Sequence, residues 1–343
     1  MVKRKMKYKS IEIFAGAGGM AKGLEDSGFE HIGLVEWDKN AANTLKLNRP
    51  QWNVLNEDIE IVDKRDLTEE FSVDKGELDL LSGGAPCQSF SFAGKKLGLE
   101  ETRGTMFYHY AVFLHKLQPK MFIFENVKGL LFHDKGKTFK IVLKVFADEG
   151  YTVNYRVLNA WDYGVAQKRE RLIIVGVRND LANKVNFEFP KKHEYKPTLR
   201  DALKGVPASK GSRYSEAKAK VFDLVPPGGY WKHIDQEIAK AYMKNCWTNG
   251  KGGTTGLLRR ISWDEPSLTI LTTPQSKTTE RCHPDETRPF TIRESARIQS
   301  FPDDWTFTGG VGSQYKQIGN AVPCKLAYEV GNSVIAALNS INT

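Results

Sequence analysis

The stretch Asp79 to Ser91, DLLSGGAPCQSFS, is where this chain could do chemistry. Leu80 and Leu81 end an apolar strand, Gly83 and Gly84 permit a tight turn, and Pro86 stiffens the backbone directly before Cys87. That arrangement presents one thiol at a fixed angle above a sheet edge, where its thiolate could act as a nucleophile. A small cysteine filling a core corner beside a glycine turn would give the same local pattern. Gln88, Ser89, Ser91, Lys95 and Lys96 follow on a polar segment that reads as a loop. The charged run GKKLGLEETRG, Gly94 to Gly104, has too few apolar residues to hold itself down and reads as a mobile lid.

Two further polar groups stand at strand ends. The apolar run MFIF, Met121 to Phe124, suits a parallel sheet covered on both faces, and it ends in Glu125 and Asn126. A carboxylate there is a pocket acid or a capping residue, and a cysteine ending the preceding strand favours the pocket. Farther on, QKRER, Gln167 to Arg171, precedes the apolar strand Leu172 to Val177. Arg169 and Arg171 alternate with Glu170, so one extended strand would turn both to the same side. Two guanidinium forks could hold a phosphate or a carbonyl oxygen, or lace a strand edge with salt bridges.

These groups need a scaffold, and the amino-terminal region predicts one. A strand from Ser10 to Phe14 runs through the glycine turn Gly16 to Gly19 into a helix over Met20 to Ser27. Such a turn lets a ligand approach helix amides closely, although the spacing is not G-x-G-x-x-G. A second strand, His31 to Val35, ends in Glu36, Trp37 and Asp38, offering a carboxylate for ribose and an indole face for a purine, or else a helix cap after an aromatic plug. A third, Trp52 to Leu55, leads to Asp58 and Ile59. Together the strand ends describe an adenosine-sized pocket, without a basic anchor for a phosphate-rich cofactor. Helices are predicted over Phe107 to Leu117, Thr138 to Gly150 and Cys324 to Leu338, and a strand over Tyr151 to Leu158.

Length and composition fit this plan. The chain has 343 residues, enough for two domains, and its 50 basic residues exceed its 41 acidic ones to give a net charge of +9. The excess suits an anionic partner as well as a solvated surface. Cys87, Cys246, Cys282 and Cys324 show no paired spacing, which argues against a disulfide framework or structural zinc. Cys282 beside His283 lacks further ligands, so no metal is expected. The basic start MVKRKMKYKS is not followed by an apolar signal core, and no run approaches the roughly eighteen apolar residues of a membrane span. From Asn179 to about Gly310 the texture turns to prolines and glycines, with basic and aromatic residues interleaved in GGYWKH, WTNGKGG and LLRRISW. This reads as a smaller loop-rich domain suited to nucleic acid, or a structural domain of a basic protein. In TIRESARIQ, Thr291 and Glu294 form a capping box, and Arg293 and Arg297 share a helix face.

The ordered set FAGAGG, Glu36, Asp58-Ile59, GGAPCQSFS, ENV, QKRER, TIRESARIQSFPDD and YKQIGNAVP resembles the DNA (cytosine-5) methyltransferases of bacterial and phage modification systems. The resemblance implies a Rossmann-like α/β S-adenosylmethionine-dependent methyltransferase sheet domain over residues 1–180 and 312–343, and a target-recognition domain over 181–311. It implies that Cys87 is the nucleophile, that Glu125 contacts a flipped cytosine, and that Arg169 and Arg171 support the base or its phosphate. Phe14, Ala15, Gly16, Gly18, Gly19, Glu36, Trp37, Asp58, Ile59, Pro86, Asn320 and Val322 would surround S-adenosylmethionine, and S-adenosylhomocysteine would be the product. Gln88, Ser91, Lys95, Lys96 and Arg103 would touch double-stranded DNA. One departure is Glu57, where many relatives have glycine before the acidic residue.

The resemblance further implies a cytoplasmic, nucleoid-associated prokaryotic enzyme. It would act as a monomer on DNA, and a companion restriction endonuclease would not be physically required. An RNA cytosine-5 methylase would use the same cysteine chemistry, and a catalytically idle DNA-binding module could keep the same fold. The nature of the methylated nucleic acid distinguishes these readings.

Overall fold

The computed structural model describes residues 8–86, 102, 105–243, 257–276 and 280–342. Cys87, Gln88, Ser91, Lys95, Lys96 and Arg103 lie outside the described residues. The chain divides into two compact units: Met1–Asn159 with Glu170–Lys192 and Cys324–Thr343, and Ala160–Arg169 with His193–Pro323. This compact division falls after Lys192 and Pro323 and gives 160–169 to the second unit; the texture change in the sequence runs from Asn179 to about Gly310, and the family resemblance implies 181–311.

In the first unit, apolar runs become buried strands and caps start the helices between them. Strand β1 (Tyr8–Ile13) enters the glycine turn, where Phe14, Gly16 and Gly18 all take positive φ, and helix α1 (Gly19–Ser27) follows. Strand β2 (Phe29–Val35) leads to Asp38, whose carboxylate accepts from Asn40 N and Ala41 N and so starts α2 (Lys39–Asn48). After β3 (Val54–Leu55), Asp58 caps α3 (Ile59–Val62) and Asp66 caps α4 (Leu67–Phe71). Strand β4 (Leu80–Gly83), α5 (Met106–Leu117), β5 (Met121–Val127), α6 (Lys137–Asp148) and β6 (Tyr151–Asn159) continue the alternation. After β7 (Gln167–Lys168), which belongs to the second unit, the chain re-enters the first with β8 (Glu170–Arg178).

The sheet order is β3-β2-β1-β4-β5-β8-β6, with β7 outside it. Pairing is parallel from β3 through β5, so five strands bring their carboxyl ends to one edge. Strand β8 runs antiparallel to both β5 and β6. The run MFIF therefore has a parallel neighbour on one side only, which corrects the all-parallel expectation for it. The reversal has a consequence: the start of β8 meets the end of β5, and Arg171 stands opposite Val127.

On one sheet face, Phe107, Tyr110, Phe122, Phe124 and Phe146 interlock by edge-to-face contacts such as the 5.0 Å Tyr110–Phe124 pair. The last helix of the chain, α12 (Cys324–Asn339), packs on α1, and Tyr8 Oη donates to Asn339 Oδ1 at 2.7 Å. Under α1 the sheet carries a buried polar seam. His31 Nδ1 meets Ser10 Oγ at 2.9 Å, its Nε2 meets Ala21 O at 2.8 Å, and Ser82 Oγ donates to Glu12 Oε2 at 3.4 Å.

The second unit holds α7 (Leu199–Leu203), α8 (Glu216–Phe222), α9 (Gln236–Met243), β9 (Ser267–Leu268), α10 (Ile292–Ile298) and α11 (Val311–Asn320). Strand β9 pairs in parallel with β7. A small core of Phe222, Trp231, Met243, Leu257, Leu258 and Cys282 holds it. Thr291 and Glu294 make the expected capping box, and Arg293 and Arg297 donate to carbonyls and to Asp303 inside this unit. Among the described residues, no helix is long and apolar enough to cross a membrane.

The seam sets a pH dependence. Burial pushes the Glu12 carboxyl from 4.5 up to about 8, with Glu36 adding and hydrogen bonds from Ser82 and Ala21 opposing. The folded chain thus keeps a proton that the unfolded chain releases, and this group's contribution to stability declines as pH rises from 4.5 towards about 8. Glu12→Gln, neutral throughout, should gain in melting temperature over the unaltered protein by a margin that grows across that window. A margin independent of pH, measured by thermal unfolding, would contradict the buried neutral acid.

Candidate active site

The edge formed by the carboxyl ends of β4 and β5 concentrates the reactive groups. Gly83 stands opposite Phe124 in the parallel register, so the chain leaving β4 passes beside Glu125. A side chain on Gly84 would put its Cβ 2.5 Å from Glu125 Oε2, so the carboxylate can keep this position only beside glycine and would have to shift beside a larger residue. Asn126 Nδ2 donates to Ala85 O at 3.0 Å and ties the same segment to β5. The exposed Pro86 follows, immediately before Cys87.

Glu125 is held from the other side by β8. Arg171 Nε lies 2.7 Å from Glu125 Oε1, and both side chains are only 13% exposed. Arg171 Nη1 also donates to Glu170 O at 2.8 Å, while Lys128 pairs with Glu170 at 3.0 Å. A carboxylate mounted this way is immobilised at the rim, with a fixed cation beside it. It can accept from an amine or, when protonated, donate to a ring nitrogen.

Arg169 takes no part in that pair. It is fully buried, and its guanidinium donates to Ile270 O at 3.0 Å, Gly319 O at 2.8 Å and Ala321 O at 3.0 Å. The expectation that Arg169 and Arg171 face one side of a single strand is corrected here. Strand β7 ends at Lys168 and pairs with β9, whereas β8 begins at Glu170 in the large sheet, so alternation does not carry across Arg169.

The ends of β1, β2 and β3 form a second cluster. Glu36 is buried, its Oε2 accepts from Gly16 N at 2.7 Å, and its Oε1 accepts from Asp38 N at 2.8 Å. Gly16 takes φ 55°, and a Cβ there would meet nothing within 4 Å, so the turn borders open space. Phe14, Ala15, Gly18 and Gly19 shape this turn, with Gly18 N donating to Ala15 O at 3.0 Å. The Trp37 indole is 70% exposed. Asp58 is exposed and accepts from Glu60 N at 3.0 Å, while Ile59 is buried. Glu57, the departure noted above, pairs with Arg65.

Asn320 and Val322 belong to the second unit, where Asn320 ends α11 exposed and Val322 is buried. Cys282 is also buried there, and burial pushes its thiol up to about 11. His283 Nδ1 accepts from Asp285 N and Glu286 N, at 3.3 and 3.2 Å. Among the described residues, no group of three or more His, Cys, Asp or Glu could hold a metal ion.

Two supporting residues escaped the reading of motifs. Gly84 was legible as a turn former but not as the neighbour of Glu125. Asn56, whose Nδ2 donates to Glu36 O at 2.9 Å and Trp37 O at 3.1 Å, had only its place after a short strand to mark it.

The family model for C-5 cytosine-specific DNA methylases matches residues 8–336. The Type II methyltransferase M.Sau96I of Staphylococcus aureus is 56% identical over 99% of this chain and 79% of its own length. M.Eco47II of Escherichia coli is 50% identical over 98% of this chain and 80% of its own. A solved Spodoptera frugiperda DNMT2 mutant shares the fold, with a TM-score of 0.66 and 16% identity over 96% of this chain and 100% of that one.

The close approach at Gly84 is testable without any assay of turnover. Gly84→Ala should fold but displace the Glu125 carboxylate by about an ångström or more and break its contact with Arg171. A crystal structure of the variant with the 2.7 Å pair intact would contradict the assigned role of Gly84.

Proposed function

The chain belongs to the C-5 cytosine-specific DNA methylase family, and from that premise we propose that Cys87 is its nucleophile, Glu125 its acid at the cytosine ring, and Arg171 the cation that fixes Glu125. The enzyme transfers a methyl group from S-adenosylmethionine to C5 of cytosine in DNA, in a sequence-specific manner. The observation that carries the assignment is the 2.7 Å Glu125–Arg171 pair, mounted beside the segment that leads into Cys87.

The reaction explains the residue types. Cytosine C5 is too poor a nucleophile to take a methyl group unaided. Addition of the Cys87 thiolate at C6 makes the ring enamine-like and C5 electron-rich. Glu125 accepts from the exocyclic amine and, once protonated, donates to N3, drawing charge away as the adduct forms. The further N–H groups of Arg171 would meet the ring carbonyl oxygen. C5 then takes the methyl carbon as its bond to the donor sulfur breaks, and loss of the C5 proton, assigned to a water as base, restores the ring double bond while the C6–S bond breaks and the thiol leaves. Because the target carbon lies inside the duplex, the base must be extruded to reach these groups.

The turn after β1 fits the methyl donor. Open space borders Gly16, the Glu36 carboxylate stands beside that turn, and the indole of Trp37 is largely exposed. S-adenosylmethionine supplies the electrophilic methyl group. Glu36 would accept its ribose hydroxyls, Trp37 would lie against the adenine, and Asp58 would reach the exocyclic amine. Phe14, Ala15, Gly16, Gly18, Gly19, Ile59, Pro86, Asn320 and Val322 complete the assigned set.

Gln88, Ser91, Lys95, Lys96 and Arg103 are assigned to the duplex, and Arg169 to bracing carbonyls of the second unit. The second unit serves target recognition. The enzyme acts in the cytoplasm as a monomer on double-stranded DNA, and a companion endonuclease is not physically required.

Glu125→Gln should lower kcat by about a hundredfold or more while duplex affinity changes by less than about twofold. Paired single-turnover and binding measurements decide this, and equal losses in both would contradict a role at the reacting ring. Cytosine-conversion sequencing of a methylated DNA library should place the methyl group at C5. Transfer to RNA alone would overturn the duplex substrate.

A further inference from the structure

A single turn of helix has little stability of its own, and α3 is four residues long. Its N-cap is nevertheless Asp58, the exposed carboxylate assigned above to the exocyclic amine of the methyl donor. Ile59 and Val62 are buried and hold the turn against the core. Apolar contact has no direction, so it sets the depth of the turn more firmly than its rotation. Directional bonds must come from another element, and α5 supplies them.

Helix α5 is a firm platform. Phe107, Tyr110, Phe113 and Leu117 are fully buried, and Tyr110 Oη donates at 2.9 Å to Ile123 O, on β5 two residues before Glu125. The preceding residue reaches towards α3. His109 Nδ1 lies 2.7 Å from Asp63 Oδ2, and both side chains are nearly buried, while His109 Nε2 lies 3.9 Å from Glu60 Oε1. A carboxylate can only accept, so Nδ1 carries the hydrogen. Two turns along α5, Lys116 Nζ donates to Asp63 O at 2.6 Å and to Arg65 O at 2.8 Å.

These bonds grip the carboxyl end of the turn that Asp58 opens. Asp63 N donates to Ile59 O at 2.9 Å, and Val62 N donates to Asp58 O at 3.2 Å. Arg65, whose carbonyl Lys116 holds, pairs with Glu57, the residue before Asp58. A rotation of the turn about its apolar anchors would carry Asp58 with it, and a charge-assisted hydrogen bond tolerates little displacement. Because α5 bonds to β5 as well, one helix references the turn that carries Asp58 to the strand that carries Glu125.

We infer that His109 and Lys116 are positioning residues for the adenine end of the methyl-donor site: through Asp63 they set where α3 holds the Asp58 carboxylate. The inference rests on the assignment of Asp58 to the exocyclic amine.

The test compares two ligands, S-adenosylhomocysteine and S-inosylhomocysteine, by titration calorimetry. They differ at the six-position of the purine, where the first carries an amine that donates and the second an oxygen that cannot. The unaltered protein should prefer the first by about tenfold or more, and Asp58→Ala should lose that preference. His109→Ala and Lys116→Met should each lower the preference by about threefold or more, although neither residue is assigned to the ligand. His109→Asn, whose amide can take the place of Nδ1 and donate to Asp63, should keep most of it. Lys116→Met, a change at a half-buried side chain, decides the matter if His109→Ala does not fold. General loosening would weaken both ligands alike and leave their ratio unchanged. A ratio that Asp58→Ala abolishes but His109→Ala and Lys116→Met retain would therefore overturn this inference alone. An unaltered protein that binds both ligands equally would sink the assignment of Asp58, and this inference with it.

Discussion

Everything at the active edge depends on holding one carboxylate still. Glu125 lies near the carboxyl end of a mostly buried strand, where an unpaired charge would be expensive, and Arg171 answers it at 2.7 Å from the antiparallel neighbour. Gly84 yields the space beside its second oxygen, and Asn126 ties the adjoining segment through Ala85 O. An all-parallel sheet would send the end of β8 to this edge. The antiparallel entry brings its start there instead, and with it Arg171. Topology thus supplies the cation, and the ion pair fixes the orientation that the role proposed for Glu125 at the ring would need.

The same logic governs the edge of β1 and β2. A glycine turn with positive φ would be loose by itself. Glu36 fixes it by accepting from Gly16 N with one oxygen and Asp38 N with the other, and Asn56 holds the backbone carbonyls of Glu36 and Trp37. The carboxylate assigned to ribose therefore also builds the loop that would receive the ligand. Beneath it, Glu12 adds a buried acid that remains protonated to about pH 8 and so avoids a second negative charge near Glu36.

Much of this was legible in the sequence because local signals and tertiary placement agree. Apolar runs ending in Glu36, Asp58 and Glu125 are strands whose ends carry those residues onto or just beyond the sheet edge, and Thr291 and Glu294 make the box their spacing predicts. Arg169 was not legible. Its fate is set by the pairing of β7 with β9, made by a segment far along the chain, so a rule that assumes one continuous strand misplaces it. The sequence changes texture near Asn179. The first unit nevertheless keeps the segment to Lys192, where Arg156 lies over Phe189 at 5.0 Å, a contact that composition does not encode. Gly84 beside Glu125 was hidden for the same reason, since a glycine after a strand announces a turn and says nothing of the neighbour it accommodates.

The central claim is that a thiolate adds to the cytosine ring held by Glu125. The direct measurement is mass spectrometry of the protein incubated with S-adenosylmethionine and duplex DNA carrying 5-fluorocytosine, in which the fluorine cannot leave as a proton does and the adduct should persist. The account predicts a covalent complex that requires the methyl donor, maps to the peptide containing Cys87, and is absent from Cys87→Ala. A complex mapped to another residue, or methylated cytosine formed by Cys87→Ala at the normal rate, would contradict it.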